Sequence, residues 1–436
     1  MNNQYNILKK KVIDTGLCTR CGACIGLTQN SIEMQDPLGK CLPKKTKRFK
    51  NNNFLNAVCP GFTVPFSKIN NLVFKKEPTN KYLGNYIQGY IGHSNNEKIR
   101  HNAASGGTVS TITKYLLSNK KVDGVIMIGP DKSNPCKNVP RIVTEIKEIK
   151  ECAQSVYSIT STCTIISDLE KKKGKFAFIG TPCQIHAMRK LQLSKHPVSK
   201  KIKYYIGIYC GNILHFDSIK SYLARYNITD LNKIKSIKYR EGSWPGKLHI
   251  ELKNGKILSL EKFKANYLIP FYIMKRCLYC IDFTNEFADI SCGDGWSPLR
   301  EKESKGWSVI LARTKKGSKL LKELEKNKEM YLKKISEKKL LQMHSHGFDF
   351  KKIGALIRIN ILKNKNKMYP IYGTKINCNN FSYGKIIKEK INYLIFNICS
   401  TKLAKKMVNL IPLSVIGFIF VRLRKKWLKK SKKLIN

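Results

Sequence analysis

The apolar positions of the chain change period along its length. From about residue 86, short continuous apolar runs alternate with stretches of helical period. NYIQGYIGH at 85–93 reads as a strand. After Ala104-Ser105-Gly106-Gly107 comes TVSTITKYLLS, in which Val109, Ile112, Leu116 and Leu117 share one helical face. VDGVIMIG and FAFIG (176–180) are buried-strand runs; the second ends in Thr181-Pro182-Cys183 and leads into the helix QIHAMRKLQL. YYIGIYCG (204–211) is a third strand, ending at Cys210-Gly211, with FDSIKSYLARY as the next helix. Strand, short glycine-containing turn and helix, repeated, predict an α/β sheet. Before residue 86 the pattern is short and cysteine-rich, and after about 345 it becomes helical and basic.

Composition changes this picture in two ways. The 436 residues carry 82 Lys+Arg against 29 Asp+Glu, a net charge of +53. Such a field attracts polyanions, but no compact basic cluster with interleaved aromatics marks a nucleic-acid surface in the body of the chain. A cysteine-rich metal-dependent nucleic-acid-binding protein is therefore the weaker rival, and no nucleic-acid partner is expected. The second departure is 15 cysteines. The start, MNNQYNILKKKVIDTG, lacks the apolar core of a secretion signal, so a cytoplasmic protein with metal or redox thiols is expected.

The densest run is Cys18-Thr-Arg-Cys21-Gly-Ala-Cys24, followed by Cys41 and by Cys59-Pro60. Three cysteines at two-residue intervals with a remote Cys-Pro match a ferredoxin-type [4Fe–4S] site. Zinc knuckles prefer two separate C-x-x-C pairs. Cys59, which carries the proline, is taken as the fourth ligand over Cys41. A second group is looser. Cys183 and Cys210 follow strands, at the edge where an open α/β sheet builds its ligand site, and Arg276-Cys277-Leu-Tyr-Cys280 comes later. By spacing alone these four thiols suit a second cluster, a redox disulfide or half a zinc site, and Cys292 lies near enough to compete. Cys136, Cys152, Cys163, Cys378 and Cys399 are isolated and read as structural or incidental. Ser105-Gly106-Gly107 at a helix start suits a phosphate cradle or a plain helix start.

Taken together, CTRCGAC…CPG, ASGG, FIGTPCQI, YCG, KYREGSWPG (238–246), RCLYC and ADISCGDGW (288–296) resemble, in order, the coenzyme F420 hydrogenase/dehydrogenase beta-subunit family, which includes 7-hydroxymethyl chlorophyll a reductase. The resemblance spans roughly residues 10–315. It implies FAD beside an inner [4Fe–4S] cluster held by Cys183, Cys210, Cys277 and Cys280, making two clusters with the outer set. It places Ser105, Gly106 and Gly107 near the flavin, and Arg240, Trp244 and Asp294 in the cofactor and substrate region. Each of these six also has a plain structural explanation. Two positions depart from the pattern. A lysine expected in a Ser-Lys-Tyr element is absent from Ser155-Val156-Tyr157, and Cys292 replaces an apolar residue.

The expected architecture is α/β: a ferredoxin-like [4Fe–4S] module (1–75), two parts of an α/β body (76–200 and 201–345) and a basic helical tail (346–436). The expected function is an iron–sulfur flavoprotein oxidoreductase passing electrons between ferredoxin, or coenzyme F420, and an organic substrate. A non-catalytic electron-relay subunit is the alternative. The tail segment 381–436 holds fourteen Lys or Arg and one Glu around the uncharged run Met407–Val421. That run is too short to span a membrane, and suits either an anionic membrane surface or a packed helical hairpin.

Overall fold

The computed structural model describes residues 4–29, 31–296, 303–373 and 381–435. A two-stranded hairpin of β1 (Ile32–Gln35) and β2 (Leu42–Lys45) stands in the N-terminal module. The body is an eight-stranded mixed sheet. It contains β3 (Gln88–Ser94), β4 (Gly124–Pro130), β5 (Asn138–Val143), β6 (Phe176–Gly180) and β7 (Ile202–Ile208). A separate antiparallel sheet follows, made of β8 (Ile234–Glu241), β9 (Lys247–Leu252) and β10 (Ile257–Glu261). Then β11 (Ile290–Asp294), β12 (Ser308–Ala312) and β13 (Met330–Lys334) complete the large sheet. Its order is β13-β3-β12-β11-β7-β6-β4-β5. The central β11, β7, β6 and β4 run parallel, and antiparallel strands flank them on both sides. The expected α/β class is what the chain adopts.

The period-2 pattern decides what covers each face. Phe176 and Phe178 of β6 join a core with the N-terminal module and the helix Pro182–Leu193. Ala177 and Ile179, between and beyond them, face the other way onto the helices Thr108–Ser118 and Lys315–Lys326. Both faces are therefore apolar, which is why FAFIG reads as a continuous run and all five of its residues are buried. Strands from before and after residue 200 contribute to this one sheet, so the two expected parts of the body, 76–200 and 201–345, share it.

The tail forms the helices Tyr383–Cys399, Lys402–Leu410 and Leu413–Ile435. The last lies on the body: Trp427 donates its indole N–H to Asp349 at 2.9 Å, and the Ser431 and Ser345 hydroxyls meet at 2.8 Å. The uncharged run Met407–Val421 is broken by a 110° bend between the last two helices. Among the described residues no single helix is long and apolar enough to cross a membrane. Cys378 lies outside the described residues.

Candidate functional site

The outer thiols sit on a local loop. Gly22 takes φ +87° ahead of the short helix Ala23–Gly26, a conformation glycine reaches without strain, and a Cβ there would meet the Ser161 carbonyl at 2.8 Å. That turn carries Cys21 and Cys24 back toward Cys18. Cys18, Cys21, Cys24 and Cys59 are close enough to feel one another's charge. Burial, and then mutual repulsion, raise the Cys24 thiol well above its ordinary value; burial pushes Cys18 up to about 12. Cys41 has Arg20, Cys18 and Asp36 as its charged neighbours.

The inner thiols come from three loops. Cys183 opens the helix after β6, Cys210 follows β7, and Cys277 and Cys280 lie on and just beyond the short turn Lys275–Tyr279. The structure brings these four together: Cys210 feels Cys277, Cys183 and Cys280. The loop after Cys280 is stitched to the ends of the strands. The Asn285 amide donates to the carbonyls of Gly180, at the end of β6, and Ile208, at the end of β7, at 2.8 and 3.3 Å. The buried pair His186–Asp282, at 2.8 Å, ties the same loop to the helix that Cys183 opens. Cys292 lies elsewhere. It packs in the core on the far face, and burial alone raises its thiol to about 12. It does not compete for the inner set.

The two sets adjoin. Cys21 and Cys183 each feel the other set across the boundary, and Cys163 lies between them. Its thiol influences that of Cys21, its backbone N–H donates to the Cys21 carbonyl at 2.8 Å, and its thiol donates to the Gln184 carbonyl at 3.6 Å. Cys163 reads from the sequence as structural or incidental; its place between the two sets is a contact made across the fold, which spacing cannot show.

Four cations that the sequence did not single out surround these thiols. Arg20, Lys190, Arg276 and Lys351 are all buried, and none has a carboxylate partner among the described residues. Lys190 donates to the carbonyls of Cys59 and Thr63 at 2.6 and 2.5 Å, and burial lowers its pKa to about 8. Lys351 donates to the Cys277 carbonyl at 3.0 Å. Arg276 touches the Pro60 carbonyl at 3.4 Å, but its Nε and Nη1 have no partner; neither does Arg20 Nε. Buried, unpaired guanidinium donors beside eight thiols are costly unless something anionic lies between them. A cluster of thiolate-ligated iron carries that charge and accepts N–H bonds at its sulfurs. Among the described residues no three His, Cys, Asp or Glu side chains close round a single ion.

A second constellation lies at the end of β11. Arg240 grips Asp294 with both terminal nitrogens, at 3.3 and 3.1 Å. It also donates to Tyr157 Oη at 3.0 Å, to the Ala104 carbonyl at 2.5 Å and to the Pro245 carbonyl. Burial opposes the Arg240 charge, but Asp294 outweighs it and the pKa stands above its ordinary value. The Trp244 indole N–H donates to Asp294 at 3.2 Å, and its ring lies 4.7 Å from that of Trp296. Lys262 stands over the Tyr157 ring at 4.7 Å. Tyr157 belongs to the segment that runs on to Cys163, which joins this constellation to the thiols along one stretch of chain.

Ser105, Gly106 and Gly107 adjoin it. Ser105 donates to the Trp307 carbonyl at 2.6 Å, and Gly106 N–H to the Ser308 hydroxyl at 3.0 Å. A Cβ on Gly106 would meet the Gly92 carbonyl at 2.7 Å, and Gly107 takes φ +78°. The two glycines are thus required by the approach of this turn to β3 and β12 and by the backbone at the helix start. Beside them a cleft of about 180 Å³ is lined by Glu97, Arg100, His101, Trp244 and Lys305. The Thr108 hydroxyl, in the first helical turn, is buried without a partner. The Trp244 ring and the cationic side chains of the cleft suit a ligand with rings and phosphates, although Glu97 also lines it.

Comparison with known proteins bears on this arrangement. Two family models describe the beta subunit of coenzyme F420 hydrogenase/dehydrogenase: residues 90–167 match the model of its N-terminal part, and 173–338 match the model of its C-terminal part. The chain is 29% identical over 317 residues to a coenzyme F420-dependent sulfite reductase of Methanocaldococcus jannaschii; the match covers 68% of this chain and 46% of that protein. It therefore spans less than half of that relative's length. It is 29% identical over 227 residues to a coenzyme F420 hydrogenase subunit beta of Methanococcus voltae, covering 50% of this chain and 77% of that one. A chain of the F420-reducing [NiFe] hydrogenase complex from Methanosarcina barkeri shares the fold, with TM-score 0.52 and 22% identity over 66% of this chain and 97% of that one. The chain belongs to the coenzyme F420 hydrogenase/dehydrogenase beta-subunit family, a family of redox-enzyme subunits.

Proposed function

We propose that the protein is an iron–sulfur flavoprotein oxidoreductase, acting in the cytoplasm, that moves electrons between ferredoxin or coenzyme F420 and an organic substrate. Cys18, Cys21, Cys24 and Cys59 would hold an outer [4Fe–4S] cluster in the module 1–75. Cys183, Cys210, Cys277 and Cys280 would hold an inner one. Ser105, Gly106, Gly107, Arg240, Trp244 and Asp294 would line the place of FAD. When bound, these groups supply one-electron transfer at the clusters and hydride chemistry at the flavin.

The observation that carries this reading is the set of four buried cations without carboxylate partners around two adjoining groups of thiols. Arg276 reaches from the inner thiols to the Pro60 carbonyl, and Lys190 from the helix of Cys183 to the Cys59 carbonyl. Both residues therefore fix one set against the other and stabilise negative charge between them. Arg240 and Asp294 hold the Ala104 turn, Tyr157 and Trp244 in one rigid frame beside the cleft. The strongly basic surface suits an acidic redox partner such as a ferredoxin.

Iron, sulfide and flavin analysis of anaerobically purified protein tests this directly. About eight irons per chain and one FAD are expected. Bleaching of the visible spectrum by reduced F420, or by reduced ferredoxin, identifies the donor. Protein that contains neither iron nor flavin when prepared this way would end the proposal.

A further inference from the structure

The three tail helices each leave an apolar stripe uncovered. On Tyr383–Cys399 the exposed apolar residues are Tyr383, Ile387, Ile391, Leu394, Ile395 and Ile398, spaced three and four apart along one face. On Lys402–Leu410 they are Leu403, Met407 and Leu410, and on Leu413–Ile435 they are Val415, Phe418, Ile419 and Leu423. These stripes are not what holds the helices to the body. Arg225 donates to the Ile411 carbonyl at 2.6 Å, Ser221 to Asn409 at 2.6 Å, and Val408 and Ile416 are buried in the core beside the small sheet. The stripes face outward while other faces do the docking.

Charge says what covers them. The only acidic residue of 381–436, Glu389, is buried against Arg358, so the tail itself adds no exposed acidic side chain. Lys390, Lys402 and Lys406 are exposed on the first two helices. Past Leu423 the last helix changes from apolar to basic with the exposed Lys425, Lys426, Lys429 and Lys430. Aliphatic residues bordered by lysines, without acids, match the boundary between acyl chains and anionic headgroups. A second copy of a chain with net charge +53 would be repelled.

We propose that this tail seats the protein on the surface of an anionic bilayer, lying in the interface rather than crossing it. The inference is independent of which cofactors the body holds. It is tested by flotation of the purified holoprotein with vesicles of phosphatidylcholine alone or of equal phosphatidylcholine and phosphatidylglycerol. The protein should float with the anionic vesicles, float much less with the neutral ones, and dissociate partly at high salt. Leu394, Leu403 and Phe418 are 57%, 69% and 54% exposed, so replacing all three by Ser should leave the fold, iron and flavin content unchanged. Partitioning should fall about tenfold or more. Changing Lys425, Lys426, Lys429 and Lys430 to Gln should weaken binding to anionic vesicles only. Three results would each overturn the proposal: no flotation on anionic vesicles, equal flotation of the triple variant, or an oligomer in solution that the triple variant abolishes.

Discussion

The two thiol sets differ in how the chain builds them. The outer set takes three of its four cysteines from one seven-residue loop, Cys18–Cys24, turned by Gly22. The inner set takes its four from three loops that meet only because β6 and β7 lie side by side and Asn285 ties their ends to the loop beyond Cys280. A local loop keeps its shape when one thiol is lost. A convergence of strand ends depends on everything that meets there. Loss of one outer thiol is therefore expected to stay local, even though its module packs into the same core as β6, whereas loss of an inner thiol is expected to disturb the ends of the strands.

The largest expected effect breaks the inner set. Cys277→Ser should lower both iron and flavin content and reduce the thermal midpoint, because the turn that carries Cys277 also anchors Lys351 and Arg276. Cys18→Ser should remove about half the iron, leave FAD bound and barely change the midpoint. Iron, sulfide and flavin counts with EPR of dithionite-reduced samples check both. Equal losses in the two variants would erase the distinction between module and body.

The same distinction explains what was legible in the sequence. The run Cys18–Cys24 announced itself because its ligands are neighbours in the chain. FAFIG and the helix after Gly107 were legible because a buried strand and an amphipathic helix carry their period locally. Arg20, Lys190, Arg276 and Lys351 were not. Among 82 Lys and Arg residues, nothing local distinguishes a cation that will be buried beside sulfur from one left in water. The place of Cys163 between the two sets was not legible for a related reason: its partner Cys21 is brought to it by the packing of the module on the body. The exposed stripes of the tail had a visible period, but the periodicity could not say which apolar face would be left uncovered.

A smaller effect sharpens the comparison through charge rather than ligands. Arg276 lies against the inner thiols, and its Nε and Nη1 have no protein partner. Arg276→Gln should keep all the iron while lowering the reduction potential of the inner cluster by roughly 50 mV, since a nearby cation favours the more negative, reduced state. The outer potential should move less, because Arg276 reaches that side only through the Pro60 carbonyl. Potentiometric EPR titration separates the two signals. A larger shift on the outer signal would mean that Arg276 serves that side instead.

The smallest effect is expected where the sequence offered two choices for one ligand. Cys41 is buried, takes a left-handed backbone at φ +49° and has Cys18 as its thiol neighbour. Its charged neighbours are Arg20, Asp36 and Cys18 alone, whereas Cys24 feels Cys18, Cys21 and Cys59. Its backbone N–H closes the turn after β1 by donating to the Asp36 carbonyl at 2.9 Å, a bond that a serine at this position keeps. Cys41→Ser should therefore retain full iron, sulfide and flavin, at a cost of about 1 kcal/mol for placing a hydroxyl where a thiol was buried. Cys59→Ser should lose about half the iron, as Cys18→Ser does. If the two variants exchange these outcomes, Cys41 belongs to the outer set, and the hairpin of β1 and β2 becomes part of the cluster site.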